Sequence, residues 1–366
     1  MEERQVRPTK LIVHTQAIKH NILEIQKIVK KETKIMPVLK ANAYGIGIEK
    51  MIEMMQELDI QIVAVAIVDE GVYLRKLGYT GEIFVLNQPY LEEIQAITQY
   101  HLTVGVSSLE FIRALGEKEK PVTIHLEIGT GMGRTGIRPS RTGEVIDNIL
   151  KYKNIALEGI YTHFSSSDTD REYTKHQIFS FEKAVATAKE KVNNLKYVHA
   201  CNSAGILNFP EAHYDLVRPG IMLYGYFPDD KLTGKLDLEP CCVLKSKVSF
   251  IKQIEEGFHI GYEKSFTTTR KTTVLTVPIG YADGVRRILS NKGQVVIKNQ
   301  LAPIIGSVCM DSIMVDGTEI EAVDVGTDVY LWDNNIRKIE EVAKECHTIH
   351  YEILSSITNR VKREYS

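Results

Sequence analysis

The sequence predicts an α/β fold: a (β/α)8 TIM-type barrel followed by a C-terminal all-β domain. Three observations lead there. Eight short β-branched runs follow one another, most of them separated by stretches whose apolar residues recur at helical spacing. The runs are nearly continuous in hydrophobicity, as a sheet covered on both faces requires. Beyond residue 235 the alternation stops, and short strands broken by Gly, Asn-Gln and Asp-Gly turns take over.

In order, the strand-like runs are 35–39, 62–68, 82–86, 102–106, 122–128, 157–162, 197–201 and 215–217. Between them lie amphipathic stretches such as IGIEKMIEMMQELD, SLEFIRALGEK and YTKHQIFSFEKAVATAKEKVNNL. Eight strands alternating with helices over roughly 230 residues make a barrel, so residues 11–234 are assigned to it. The segments VLKSKVSFIKQI, TTVLTVPIG, GQVVIKNQLAPIIGSV, SIMVDGTEI and DVGTDVYLWD fill a β domain over 235–366. Residues 1–10 are left open to packing with it.

A chain of 366 residues accommodates these two parts. Its 45 basic and 47 acidic residues give a net charge of -2, which argues against nucleic acid as a main partner. No window is long and apolar enough to span a bilayer, and MEERQVRPTK has no signal-peptide character. Cys201, Cys241, Cys242, Cys309 and Cys346 form no C-x-x-C, which suits a reducing cytoplasm. His347 and His350 (HTIH) stand without further ligand types beside them, so no metal is expected.

A barrel carries its chemistry on the loops after the C-terminal ends of its strands. Lys40 follows the first run, with Tyr44 in the same loop. Arg134 lies in GTGMGRTG after the fifth, His163 in YTHFSSSD after the sixth. Asn202 and Ser203 follow the seventh, and Arg218 in VRPGIMLYG follows the eighth. GTGMGR has G-x-G-x-G rather than G-x-G-x-x-G spacing, which argues against a dinucleotide. The Ser203-Ala-Gly and Arg218-Pro-Gly220-Ile221 turns suit a phosphate, since N–H groups at helix starts favour an anion. A lysine driven into an apolar setting has a pKa that falls. Such an amine forms a Schiff base with an aldehyde, and pyridoxal 5'-phosphate supplies both aldehyde and phosphate.

VLKANAYG, THFSSSD, NSAG, VRPGIMLYG, GYADG and SVCMDS together resemble the alanine racemases, pyridoxal-phosphate enzymes with a barrel plus a β domain. The likeness runs over nearly the whole chain with the motifs in order. It implies that Lys40 is the Schiff-base lysine and one catalytic base, and that Tyr262 (HIGYEKSF) is the opposite base, reaching the site from a partner subunit. It implies Arg218 at the pyridine nitrogen, His163 behind the ring and Arg134 near the phenolic oxygen. Tyr44, Ser203, Gly220 and Ile221 match phosphate contacts. Tyr281, Met310 and Asp311 match substrate-side positions from the other chain, which makes the expected assembly a homodimer with shared sites. Inverting a stereocentre needs proton removal on one face and delivery on the other, so two bases are required.

The sequence departs from the family pattern in three places. Glu127 stands where the family usually has a carbamylated lysine, and Gly129 where it has an aspartate. A carboxylate at 127 is expected to orient Arg134 by pairing with it. Asn359 (SSITNRVKREY) stands where the family typically has tyrosine at the inner gate, leaving room and an amide that both donates and accepts. Serine, alanine with one added oxygen, gains from such a partner. The combination resembles the racemase domains of VanT-type vancomycin-resistance serine racemases, which sit on the cytoplasmic side of a membrane anchor. The expected reaction is L-/D-serine interconversion, with alanine a lesser substrate, supplying D-amino acid for cell-wall precursors. Three other readings stay open: an alanine racemase of general peptidoglycan synthesis, a pyridoxal-phosphate decarboxylase of the same architecture, and a non-catalytic cofactor-binding domain.

Overall fold

The computed structural model describes residues 7–118 and 120–366, which divide into two compact units. One unit comprises Ala17–Ala43 and Ile48–Glu239. Its eight parallel strands run in sequence order around the sheet: Lys34–Ile35, Ile62–Val65, Glu82–Val85, Thr103–Val106, Val122–Glu127, Ile155–Tyr161, Tyr197–His199 and Leu216–Val217. Lys34–Ile35 pairs with Leu216–Val217, and a parallel bridge from Val38 to Ala64 closes the ring on the other side. The barrel is thus present as expected.

Local chemistry explains where the elements differ from the expected runs. Pro37 has no N–H to donate, yet the chain stays paired on both sides of it: Met36 N–H donates to Val217 O at 2.9 Å, and Pro37 O accepts from Ala64 N–H at 2.8 Å. The second strand ends at Val65 instead of continuing to 68, because a helix, Val68–Lys76, begins there. Glu70 Oε2 accepts from the Ala66 and Ile67 N–H groups at 2.8 and 3.3 Å, anchoring that helix start. Side-chain caps start two further helices: Ser108 accepts from Phe111 N–H ahead of Leu109–Glu117, and Asp170 from Tyr173 N–H ahead of Arg171–Lys191.

An aromatic layer fills the barrel's interior. Phe84, His125, Tyr161 and His199 are all buried, with Phe84 stacked on His125 at 4.6 Å and Tyr161 on His199 at 5.0 Å between ring centroids. Glycines on neighbouring strands make the room. A Cβ at Gly105 would lie 2.2 Å from the Tyr161 hydroxyl, and one at Gly159 would lie 2.6 Å from the His125 ring. A register shift between Ile124 and His125 sets His125 opposite Gly159.

The second unit contains the described residues before Ala17, Tyr44–Gly47 and Pro240–Ser366. Its main sheet has the order Gln300–Pro303, Gln294–Ile297, Asp328–Trp332, Cys242–Lys247, Lys10–Val13, Lys362–Tyr365. Residues 11–16 therefore group here, not with the barrel: Lys10–Val13 pairs on one edge with Cys242–Lys247 and on the other with Lys362–Tyr365. A two-residue turn with Lys298 and Asn299 at φ 46° and 61° joins the first hairpin. A three-stranded sheet orders Phe250–Ile254, Thr272–Val277 and Ile313–Asp316. The unit is not all-β, since helices Ile339–Glu345 and His350–Ser355 belong to it. Among the described residues no helix is long and apolar enough to cross a membrane.

Substituting Gly159→Ala forces the His125 ring out of its place. We expect a loss of about 1–3 kcal/mol, read as a lower urea midpoint with an unchanged m-value; a midpoint equal to the parent's would contradict this packing.

Candidate active site

At the C-terminal end of the first barrel strand the backbone takes an unusual path. Ala41, Asn42, Ala43 and Tyr44 have φ of 54°, 54°, 53° and 56°, a left-handed turn made without glycine. Each such residue costs about 1–2 kcal/mol, so side chains from elsewhere must hold it. Glu70 Oε1 accepts from Ala41 N–H at 2.6 Å, and Asn42 Oδ1 accepts from Ile48 N–H at 2.8 Å, where helix Ile48–Glu57 begins. Strain maintained in this way marks functional turns.

Lys40 opens that turn. Burial, with the Arg134 charge adding to it, holds the Lys40 ammonium below the ordinary lysine range, and Glu70 pulls weakly the other way. Tyr44 ends the turn and lies in the second unit, buried, its ring 6.1 Å from that of Tyr351. Burial holds its phenol above the usual range.

Arg218 is 2% exposed and is solvated by neutral acceptors. Its Nη1 donates to His199 Nδ1 at 2.8 Å, and its Nη2 to the carbonyls of Thr162 and Ala200 at 2.8 and 2.9 Å, with His163 Nδ1 at 3.3 Å. Burial pushes its pKa down to about 10, still far above neutrality. His163 and His199 are held well below the ordinary histidine range, by burial first and then by the Arg218 charge. Lys40 and Arg134 add to the effect on His163. Lys40, Arg134, His163 and Arg218 thus share one electrostatic neighbourhood at the barrel's C-terminal end. Arg134 is exposed in the GTGMGRTG loop, whose closure depends on Gly136. That residue sits at φ 102°, where a Cβ would lie 2.4 Å from Gly129 N.

Ser203 begins the short helix Ser203–Asn208, which Asn202 caps through Gly205 N–H at 3.0 Å. Ser203 Oγ accepts from Gly220 N–H at 3.0 Å. The Gly220 N–H, expected at a phosphate, is thus paired with Ser203 in this structure, and the Ser203 hydroxyl keeps its hydrogen to donate. Ile221 begins the 3-10 turn Ile221–Tyr224, where N–H groups lack intrahelical acceptors.

The expected Glu127–Arg134 pair does not form among the described residues. Glu127 is buried at the end of its strand, and burial raises its pKa. The Thr135 and Tyr161 hydroxyls oppose that rise, and Arg134 and Arg218 act only as nearby charges. A glutamate is too short to follow an arginine carried out on an exposed loop.

The second unit gathers the other candidates. Gly280 and its neighbours run against 309–310: Tyr281 and Ala282 N–H donate to the Cys309 and Met310 carbonyls, both at 3.0 Å. Arg7 clasps the buried Asp283 at 2.5 and 2.7 Å. Arg360 lies 3.5 Å from the same carboxylate and donates to Asp311 at 2.6 Å. Thr358 Oγ1 donates to Ala282 O at 2.8 Å, so Asn359 is fixed between two anchored neighbours. Tyr262 stands 70% exposed on a turn that Ser307 Oγ contacts through the Tyr262 carbonyl at 3.4 Å. Tyr262, Tyr281, Met310, Asp311 and Asn359 therefore occupy one set of joined loops.

Sequence reasoning missed Glu70, His125, His199, Arg7, Asp283 and Arg360. The histidines carried a signal, since each interrupts an otherwise apolar strand (TIHLE, YVHAC). Glu70 and the Arg7–Asp283–Arg360 ladder carried none, because they meet their partners only in the folded chain.

Two family descriptions match: alanine racemase, N-terminal domain, over residues 13–228, and alanine racemase, C-terminal domain, over 241–365. A relative from Carboxydothermus hydrogenoformans, named alanine racemase, is 39% identical, covering 98% of this chain and 100% of its own. The solved structure of alanine racemase from Clostridium difficile 630 superposes with a TM-score of 0.94 at 34% identity, over 99% of this chain and 97% of that one. That of alanine racemase from Bartonella henselae with covalently bound pyridoxal phosphate gives 0.88 at 29% identity, over 98% and 99%.

Burial holds His125 at a pKa of about 3 and His199 well below its ordinary value. The unfolded chain therefore binds protons that the folded one refuses once pH drops below about 6.5. Folding stability should fall on acidification from there, by roughly 1.4 kcal/mol per pH unit for each histidine. Urea titrations between pH 4 and 7 measure it, and a flat profile would show that these rings protonate in place. A second expectation concerns Lys40. Replacing Arg134→Gln should raise its pKa, shifting acylation of Lys40 in the cofactor-stripped protein to higher pH by peptide mass spectrometry; no shift would remove the Arg134 influence.

Proposed function

The chain belongs to the alanine racemase family, and from that premise we propose that it is a pyridoxal-phosphate-dependent amino-acid racemase acting on alanine and, preferentially, on serine. The observation that carries the racemase reading is Lys40: an amine whose pKa is lowered by burial and then by the Arg134 charge, on a strained turn at the end of the first barrel strand.

The family depends on pyridoxal phosphate, and the residues present fit that group. A buried guanidinium whose partners among the described residues are carbonyls and imidazole nitrogens suits a ring nitrogen as a further neutral acceptor. Lys40 would hold the group covalently, with Arg218 at its ring nitrogen and His163 behind the ring. Arg134 would stand near the phenolic oxygen; Tyr44, Ser203 and Ile221 would hold the phosphate, Gly220 supporting Ser203. When bound, it supplies an electron-withdrawing ring that lets an amino acid's α-hydrogen leave as a proton.

The remaining steps belong to the protein. Released from its covalent bond when the incoming amino acid's amine takes its place, the Lys40 amine, uncharged, would take the α-proton on one face. The Tyr262 phenol gives its own proton to the α-carbon on the other and is left a phenolate. The reverse direction exchanges the two roles, and each turnover ends when Lys40 and Tyr262 return to their starting protonation through solvent. Arg218 cannot surrender a proton at neutral pH, so it orients without protonating. In an isolated chain Tyr262, Tyr281 and Met310 stand exposed, which supports a homodimer in which a second copy supplies them.

Serine preference rests on Asn359. Its position is fixed beside the loops carrying Tyr281 and Asp311, and its amide offers a serine hydroxyl a partner that tyrosine's bulk would exclude. A cell-wall role for the D-serine product, as in vancomycin resistance, belongs to the same reading.

A substrate panel tests it. We expect Lys40→Ala to abolish racemisation and kcat/KM to favour L-serine over L-alanine. Asn359→Tyr should move that ratio towards alanine by roughly ten-fold, the scale of one polar partner. A parent enzyme that clearly favours alanine would remove the serine reading and leave the racemase. Shared sites have their own test: mixing Lys40→Ala with Tyr262→Phe chains should restore about one quarter of the activity if each site draws on both copies, and none if it does not.

A further inference from the structure

Below Arg218 a line of polar groups descends through the barrel's interior. His199 Nδ1 accepts from Arg218 Nη1 at 2.8 Å, and His199 Nε2 meets His125 Nδ1 at 2.9 Å. His125 Nε2 then faces Glu82 Oε1 at 4.0 Å. Those last two atoms are buried, and among the described residues neither has a hydrogen-bond partner. Two unsatisfied groups of opposite character point at one another, at a separation that a small side-chain rotation or one bridging water would close.

The direction of the line follows from its upper end. An arginine N–H only donates, so His199 Nδ1 must be the bare nitrogen. Neutral His199 then carries its proton on Nε2 and donates to His125 Nδ1, which leaves the His125 proton on Nε2, aimed at the carboxylate. Burial keeps both rings neutral, so each has one proton to place. With no acceptor at the lower end, His125 could put its proton on Nδ1 instead. That would set two donors against each other and turn the conflict upward onto Arg218.

Glu82 stands at the first position of its strand, as does Tyr197, at the barrel end opposite Lys40 and Arg218. It lines a cleft there with Lys34, Gln61 and Tyr197. Burial first and then Glu158 raise its pKa, while Lys196, Thr103 and Lys34 favour its charged form and oppose that rise. We propose that Glu82 is a positioning residue. From the barrel end opposite Lys40 it fixes the tautomers of His125 and His199, and through them the direction in which Arg218 presents its donors at the other end.

The kinetic part of the test rests on the racemase reading; the spectroscopic part does not. In 15N-histidine-labelled holoenzyme, His125 and His199 identify themselves by a scalar coupling across their N–H···N bond. Both rings should be neutral with the proton on Nε2. Glu82→Gln, whose amide oxygen still accepts, should keep that pattern. Glu82→Leu should spread His125 over both tautomers and lower kcat by roughly three- to ten-fold, as one lost hydrogen bond would, with KM unchanged. A parent enzyme whose His125 carries its proton on Nδ1 overturns the proposal without any variant. So does an unaltered tautomer in Glu82→Leu, or a Glu82→Gln enzyme as impaired as Glu82→Leu. Correct tautomers in a protein that racemises nothing would leave Glu82 in place and sink the racemase reading instead.

Discussion

The structure turns on a positive charge kept out of water. Moving a guanidinium into a barrel interior costs several kcal/mol unless its donors are met. At Arg218 the obvious remedy, a carboxylate, is not used. Two carbonyls and two imidazoles solvate it, and each of the histidines is held neutral by the charge it solvates as well as by burial. None of these hydrogen-bond partners is anionic, and Glu127 acts on Arg218 only as a nearby charge. The glycines at 105 and 159, the register shift at His125 and the stacked Tyr161 serve the same end. They clear and fill the space in which His199 and His125 stand.

Next to that fixed charge lies a turn held by force. Four left-handed residues after Lys40 would relax in an isolated peptide. Here Glu70 spends one carboxylate oxygen on the turn and the other on the start of its own helix, so the second barrel loop and the Lys40 loop are locked by a single side chain. The second unit follows a similar economy. Asp283 is buried between Arg7 and Arg360, and Arg360 reaches on to Asp311. One ion ladder therefore sets the loops of Tyr281 and Met310 and the turn of Asn359. In both units the groups proposed to meet substrate are held by residues that do not themselves perform chemistry, which is how a site keeps its geometry before anything binds.

The departures from the family pattern take on different weights. Glu127 keeps a carboxylate in the strand, where burial raises its pKa, while Arg134 stands on its exposed loop. Gly129 packs against the backbone of Thr135 and Gly136, with carbonyl oxygens 3.1 and 3.2 Å from where a Cβ would be. An aspartate there would need those carbonyls, on the loop that carries Arg134, to give by a few tenths of an ångström. Asn359 is different: it lies between Thr358 and Arg360, both anchored to neighbouring loops, and the proposal that it sets substrate preference rests on that placement.

The sequence by itself determined the barrel, because eight apolar runs separated by amphipathic stretches can bury their surface in few ways, and it determined the second β-rich unit, because turn residues punctuate it. It also made Lys40, His163, Ser203 and Arg218 legible, since each follows a strand directly and strand ends in such a barrel converge. What it left undecided was every partnership across long separations: Lys10–Val13 joining the C-terminal sheet, Glu70 bracing Lys40, Gly220 turning inward to Ser203, Glu127 passing over Arg134, and Glu82 facing His125. Those depend on which side chains the closed ring brings within a hydrogen bond's reach. Local propensity and spacing carry no record of distances that exist only once the chain has folded.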